Sequence, residues 1–149
     1  MGALSGYKII ELSGIGPGPL CGMLLSDLGA EVIRIDRNHS AMPQSDPVFD
    51  ITGRNKKSIC LNLKEDDSKE IFFKLIKDSD ALIEGFRPGV TEKLGIGPDD
   101  CLKINPKLVY GRITGWGQDG PLSQAAGHDI NYIALAGALF SIGQKDSKP

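Results

Sequence analysis

Apolar and polar residues fall in short blocks along the 149-residue chain, and the blocks switch between two periods. Residues 7–12, Tyr7-Lys8-Ile9-Ile10-Glu11-Leu12, form an apolar run that reads as a buried strand. A glycine–proline turn follows, Gly14-Ile15-Gly16-Pro17-Gly18-Pro19. The spacing over 20–28 predicts a helix with Leu20, Met23, Leu24 and Leu28 on its core face, stopped at Gly29. Residues 31–36 give the next strand, and strand–helix–strand predicts a parallel pair joined by a right-handed crossover. Further strands are predicted at 58–63, 81–84 and 108–113. Further helices are predicted at 66–76, with Ile71, Phe72 and Leu75 inward, and at 91–94, 98–104 and 129–140. In the last of these Ile130, Ile133, Ala134 and Ala138 share a face, Gly137 leaves room for close packing and Asp129 is the expected cap. Residues 38–55 read as a long loop and 143–149 as a frayed tail.

This alternation predicts an α/β fold: one domain over 1–149, with a Rossmann-like, open, mainly parallel sheet and helices on both faces. Such sheets bind ligands beyond the carboxyl ends of their strands. The chemistry is therefore expected in the loops after Leu12, Asp36, Glu84 and Ile113.

Composition narrows the classes. Hydrophobic residues make up 40% of the chain and charged residues 24%, enough apolar matter to offset the ordering entropy of a folded core. A net charge of −2 gives no global footprint for nucleic acid or an anionic membrane. No apolar run reaches the roughly 18 residues of a membrane span, and the N-terminus lacks a signal-peptide core. Cys21, Cys60 and Cys101 are odd in number and widely spaced, and only His39 and His128 are histidines. Neither a disulfide framework nor a metal site is expected; reduced thiols in the cytoplasm fit better.

Three features bear on chemistry. The first glycine loop lies between a strand and a helix, and Asp36 closes the second strand, as in dinucleotide sites. The spacing is wrong, however: Pro19 stands where the third fingerprint glycine belongs, and Pro17 and Pro19 remove backbone donors that a pyrophosphate needs. The second feature is basic. Arg37, Arg54, Lys56, Lys57, Lys64 and Arg87 all lie near strand termini, and a rim of such residues suits phosphate. Solvated surface is the alternative, more so for Lys56 and Lys57 than for Arg37 and Arg87. The third is His128, at the start of a helix after a glycine-rich loop, where the backbone dipoles favour the neutral, basic imidazole. A merely packing or capping histidine is the alternative there. No Ser or Cys elbow accompanies it, so a hydrolase triad is not indicated.

Taken together, the motifs carry a resemblance. Gly14-Ile15-Gly16-Pro17-Gly18-Pro19, Asp36-Arg37, Arg54-Asn55-Lys56-Lys57-Ser58, Glu84-Gly85-Phe86-Arg87-Pro88-Gly89, Thr114-Gly115-Trp116-Gly117-Gln118 and Ala126-Gly127-His128-Asp129-Ile130-Asn131-Tyr132 occur in this order. From about residue 4 onward the chain resembles the α-methylacyl-CoA racemases, a branch of the class III CoA transferases; the Gly127–Tyr132 block is the racemase-like one. The resemblance implies an acyl-CoA substrate and no separate cofactor, because CoA arrives within the thioester. Arg37 would contact the nucleotide phosphates, Leu61, Asn62, Leu63 and Lys64 would line adenine and ribose, and Arg87 and Lys93 would support the phosphate end. Gly127, His128 and Tyr132 would border the thioester, with His128 as one catalytic base.

The chain also departs from the family. The second catalytic acid and the small domain of such enzymes are not in it, so it reads as an N-terminal part of the large domain that lacks racemase activity alone. Asp129, adjacent to His128, is poorly placed to act from the opposite face of a substrate. The resemblance implies a homodimer for a complete protein, and a peroxisomal or mitochondrial address if that protein is eukaryotic. Two other functions stay open: CoA transfer between carboxylic acids, and non-catalytic nucleotide binding. The acyl group is not legible.

Overall fold

A computed structural model describes residues 2–37 and 50–144. The loop expected at 38–55 falls mostly, and the tail expected at 143–149 partly, outside the described residues. The chain forms two compact units, Met1–Ile113 and Thr114–Pro149.

The first unit is a parallel sheet. Strands β1 (Lys8–Leu12), β2 (Glu31–Asp36), β3 (Lys57–Cys60), β4 (Ala81–Glu84) and β5 (Val109–Arg112) lie in the order β3-β2-β1-β4-β5. Every neighbouring pair is parallel, with Ile10 level with Ile33 on one side and Leu82 on the other. The helices are α1 (Pro17–Asp27), α2 (Asp66–Lys77), α3 (Val90–Leu94) and α4 (Pro98–Ile104). Side chains alternate across the sheet, as the period of a strand dictates. Ile10, Leu12, Ile35 and Leu82 pack with Phe72 and Ile76 of α2 and Cys101 of α4. Ile9, Val32 and Ile83 face the other way, against Cys21 and Leu25 of α1. An α/β fold with helices on both faces of a parallel sheet is therefore what the chain adopts.

α1 corrects the sequence reading. It starts at Pro17 rather than Leu20, with Pro17 at the first helical position, where its missing N–H costs nothing. Its buried residues are Gly18, Pro19, Gly22, Met23 and Ser26, while Leu20, Leu24 and Leu28 are about half exposed. The reason lies beneath the helix. Glu11 of β1 and Lys56 are buried there as an ion pair, Nζ to Oε2 2.6 Å, and Lys56 also donates to the Pro19 carbonyl at 2.9 Å. A Cβ on Gly22 would sit 1.8 Å from Glu11 Oε2. Only a helix face of small residues comes close enough to shield that pair from water.

Smaller differences have local causes. β3 ends at Cys60, so Leu61–Lys64 form a turn, in which the Glu65 N–H reaches the Asn62 carbonyl at 2.8 Å. On α2 Phe72 and Ile76 are buried at i, i+4 spacing and Ile71 points outward.

The second unit holds α5 (Asp129–Leu135) and a 3-10 turn at Ala138–Ser141. The single helix expected over 129–140 is broken because Gly137 adopts φ 78°, a left-handed conformation that ends a helix rather than packing one. The cap is His128, not Asp129: its backbone N–H donates to Asn131 Oδ1 at 3.1 Å. None of its helical residues is buried, Ile130 included.

The buried pair yields a prediction. Burial raises the Glu11 carboxyl above its ordinary range, opposed by Lys56 and Arg34. A carboxyl whose folded pKa is raised keeps its proton longer in the folded state, so stability declines as pH climbs from the ordinary carboxyl range upward. Lys56→Met removes the main opposing charge and should cost about 3–5 kcal/mol at neutral pH. The loss should shrink on acidification, as Glu11 takes up a proton. Urea unfolding midpoints measured across pH test this; a Lys56→Met protein that gains stability with rising pH would contradict it.

Candidate functional site

The strand order reverses between β1 and β4, and beyond the carboxyl ends of the strands at such a point open α/β sheets bind ligands. A cleft of about 590 Å³ lies there. Its floor is Leu12, Ser13 and Ile35 at the ends of β1 and β2. One wall is the turn after β3, Leu61, Asn62, Leu63 and Lys64; the other is Phe86, Val90, Lys93 and Leu94, and Asp36 and Arg37 close the end of β2.

The walls are held by specific contacts. The Leu61 N–H donates to the Asp36 carbonyl at 3.0 Å, and the Lys64 N–H to Asn62 Oδ1 at 3.3 Å. Asp36 is not free to meet a ligand: Arg34 Nε donates to its Oδ2 at 3.0 Å, and Arg34 Nη1 reaches Asp50 at 2.8 Å. That arrangement argues against a dinucleotide, whose ribose needs the acid at this strand end. The two carboxylates hold the Arg34 guanidinium above its ordinary pKa against the opposing effect of burial, which is the largest single influence, and Arg34 in turn holds Asp50 below the usual carboxylate range.

The cations separate into two sets. Arg54 pairs with Asp27, Lys56 with Glu11 and Lys57 with Glu31, so none of these three belongs to a phosphate rim. The expectation that they gather there is corrected: each neutralises a carboxylate of α1, β1 or β2. Arg37, Lys64 and Lys93 line the cleft, and among the described residues none has a carboxylate within ion-pair distance. Arg37 lies over the Phe86 ring, 4.9 Å from its centroid. Phe86, Val90 and Leu94 were not singled out from sequence; the aromatic in Gly85-Phe86-Arg87-Pro88-Gly89 was the available signal. Arg87 is exposed on that turn and is not among the lining residues.

Gly127, His128 and Tyr132 lie in the second unit. The Tyr132 ring occupies a slot made by two glycines: a Cβ on Gly115 or on Gly127 would fall 2.0 or 2.4 Å from its hydroxyl. The ring packs on Trp116, centroids 4.9 Å apart, and the buried Trp116 indole nitrogen has no hydrogen-bond partner among the described residues. His128 is exposed at the start of α5. No group of three or more metal-ligating side chains occurs among the described residues, and no described helix is long and apolar enough to cross a membrane.

The model of the family described as CoA-transferase family III matches residues 4–149. The chain belongs to CoA-transferase family III. This family III chain is 45% identical to human alpha-methylacyl-CoA racemase over 149 residues, 99% of this chain and 37% of that protein. It is 37% identical to an acyl-CoA transferase of Fusarium pseudograminearum over 166 residues, 99% of this chain and 36% of that one. A crystal structure of a CAIB/BAIF family protein from Brucella suis superposes with a TM-score of 0.89 at 31% identity, covering 99% of this chain and 43% of that one. The chain thus spans little more than a third of the length of the curated relatives it matches.

The glycine slot gives a test. Gly127→Ala should drive the Tyr132 ring off Trp116. Trp116 is the sole tryptophan, so its emission reports the change directly. A red-shifted emission is expected, and an unchanged spectrum would show that Tyr132 is not held by the slot.

Proposed function

We propose that this chain carries the coenzyme-binding side and one acid–base residue of an enzyme that racemises the α-carbon of 2-methyl-branched acyl-CoA thioesters. The observation that carries the reading is the cleft, an apolar floor ringed by cations that no described carboxylate neutralises. That is the chemistry required by a ligand with an aromatic base and several phosphates. The likeness to human alpha-methylacyl-CoA racemase, and a histidine in Gly127-His128-Asp129-Ile130-Asn131-Tyr132, support the racemase form.

In this reading Arg37 meets the nucleotide phosphates, Leu61, Asn62, Leu63 and Lys64 border adenine and ribose, and Lys93 supports the phosphate end. Arg87, exposed on the Gly85–Gly89 turn beside the lining, is proposed to support the same end. Gly127 and Tyr132 border the thioester. His128 removes the α-proton as a general base. The electron pair passes to the thioester oxygen as an enolate, which hydrogen-bond donors must stabilise as it forms. A carboxylic acid on the opposite face then returns a proton to the α-carbon, and the stereocentre is inverted.

A second reading is CoA transfer between carboxylic acids, favoured by the likeness to the Fusarium acyl-CoA transferase. A binding role without catalysis is the third.

Titration of the 149-residue chain with CoA and with NAD, read as a thermal shift at several salt concentrations, tests the cleft. CoA should raise the melting temperature in a salt-sensitive way and NAD should not. Arg37→Ala should weaken CoA binding about tenfold, the loss expected for a charged hydrogen bond. An equal response to NAD would overturn the reading. In a protein extended to the length of its relatives, deuterium exchange at the α-carbon separates the other readings. His128→Ala should abolish exchange from one face, whereas a transferase should instead exchange free acids into the thioester and a binding module should do neither.

A further inference from the structure

Arg37 and Phe86 meet across β1: one follows β2, the other follows β4, and the guanidinium lies 4.9 Å from the ring centroid at the cleft mouth. A planar cation on an aromatic face is held in one orientation only if the ring itself is fixed. The residue that fixes it is Glu84, the last of β4 and only 3% exposed. Its Oε2 accepts the Phe86 backbone N–H at 2.6 Å, so the side chain folds back over its own strand end and closes the Gly85–Phe86 turn.

A carboxylate buried so deeply must be compensated. Arg112 of β5 lies 3.6 Å from Glu84 Oε1 and pairs also with Glu92 of α3. The titratable and charged groups facing Glu84 are therefore Arg112 and Tyr110 of β5 and Glu92 of α3. Burial raises the Glu84 carboxyl above its ordinary range, while the Phe86 N–H and Arg112 oppose the rise. The network does no work at the cleft surface itself. Its output is the placement of Phe86, and of α3, which brings Val90 and Lys93 to the same wall.

We propose that Glu84 is a positioning residue for ligand binding: by holding the Phe86 amide it keeps the Phe86 ring under Arg37 and so orients the guanidinium toward the phosphates of a nucleotide in the cleft. The ligand class rests on the reading of the cleft as a CoA site; the placement of Arg37 does not.

The test uses the 149-residue chain and two independent readouts. In NMR spectra of the free protein, the Arg37 side-chain protons should carry an upfield ring-current shift from Phe86. Glu84→Leu should remove it, and Glu84→Gln, which keeps an acceptor oxygen, should retain it. A shift that persists in Glu84→Leu overturns the proposal. Should Glu84→Leu fail to fold, hydrogen exchange of the unsubstituted protein decides: the Phe86 amide, held by Glu84, should be protected like a strand amide, and a freely exchanging Phe86 amide overturns the proposal.

The second readout is CoA affinity. Glu84→Leu and Phe86→Leu should each raise the Kd about fivefold, in the range of a lost cation–π contact, and the double variant should be no weaker than either. Additive losses would mean that Glu84 acts by another route and would overturn the proposal. Absence of CoA binding by the unsubstituted protein would end the CoA reading alone, and the ring-current comparison would still decide the role of Glu84.

Discussion

The contact on which the first unit depends is the buried pair between Glu11 and Lys56. Two charges at 0% and 1% side-chain exposure lie between the sheet and α1. Taking them out of water is costly, and their attraction offsets that cost only if the enclosure is tight. Tightness is supplied at Gly22, whose missing side chain lets the helix backbone approach Glu11 and Lys56. Because that face is occupied by small residues, Leu20 and Leu24 of α1 point outward, while Leu25 packs on Ile9, Val32 and Ile83. An apolar core at this place would accept many helix orientations; a buried pair with a carbonyl as third partner accepts few.

The same pair sets the course of the chain into the site. Residues 50–56 are tied down on the way to Lys56. Asp50 accepts the Gly53 N–H, Arg54 and Asn55 both reach Asp27, and the Ser26 hydroxyl donates to the Arg54 carbonyl. Asn55 takes φ 60°, an unusual conformation for a residue other than glycine, and this turns Lys56 inward. With Lys56 placed, Lys57 opens β3 opposite Ile33, and the strand runs only to Cys60 opposite Asp36. The next four residues are therefore released from the sheet at the level where the cleft begins. A strand two residues longer would carry Leu61 and Asn62 into the ladder and remove that wall.

The sequence was legible where period and chemistry agreed. All five strands of the sheet follow from apolar runs, and the parallel pairing of β1 with β2 and of β4 with β5 follows from the helices between them. α1 was misread because its buried side is chosen by an ion pair distant in sequence, Glu11 with Lys56, which periodicity does not register. Arg54, Lys56 and Lys57 are adjacent in sequence to a strand end and so looked like a rim. Their carboxylate partners lie on α1, β1 and β2, and only the fold brings them together. Gly137 was read as a packing glycine within one helix, since a glycine that breaks a helix and one that packs against a neighbour look alike in one dimension. Arg37 and Lys64 stand out in the sequence as cations at strand ends and Leu61, Asn62 and Leu63 only through the family resemblance, whereas Phe86 is passed over because a lone aromatic in a glycine–proline turn has no periodic partner.

The cleft lacks the usual dinucleotide devices of such a sheet. Those devices are donors at the start of the first helix and an acid at the end of the second strand. Here prolines at 17 and 19 remove donors from the first turn of α1, and the acid, Asp36, is held by Arg34. Both devices are disabled in the same unit, by residues that serve the packing of α1 and the end of β2. The residue after Asp36 is Arg37, which leans across the mouth onto Phe86. Lys64 and Lys93 add positive charge from the two walls. In the CoA reading proposed above, recognition moves from backbone N–H groups to these side-chain cations. A guanidinium over a ring keeps its edge donors available in its own plane, whereas a solvated lysine offers only a mobile point charge. In that reading the site orients phosphates only as well as the Phe86 ring is itself held, and this ties the rim to the buried carboxylate of Glu84 beneath it.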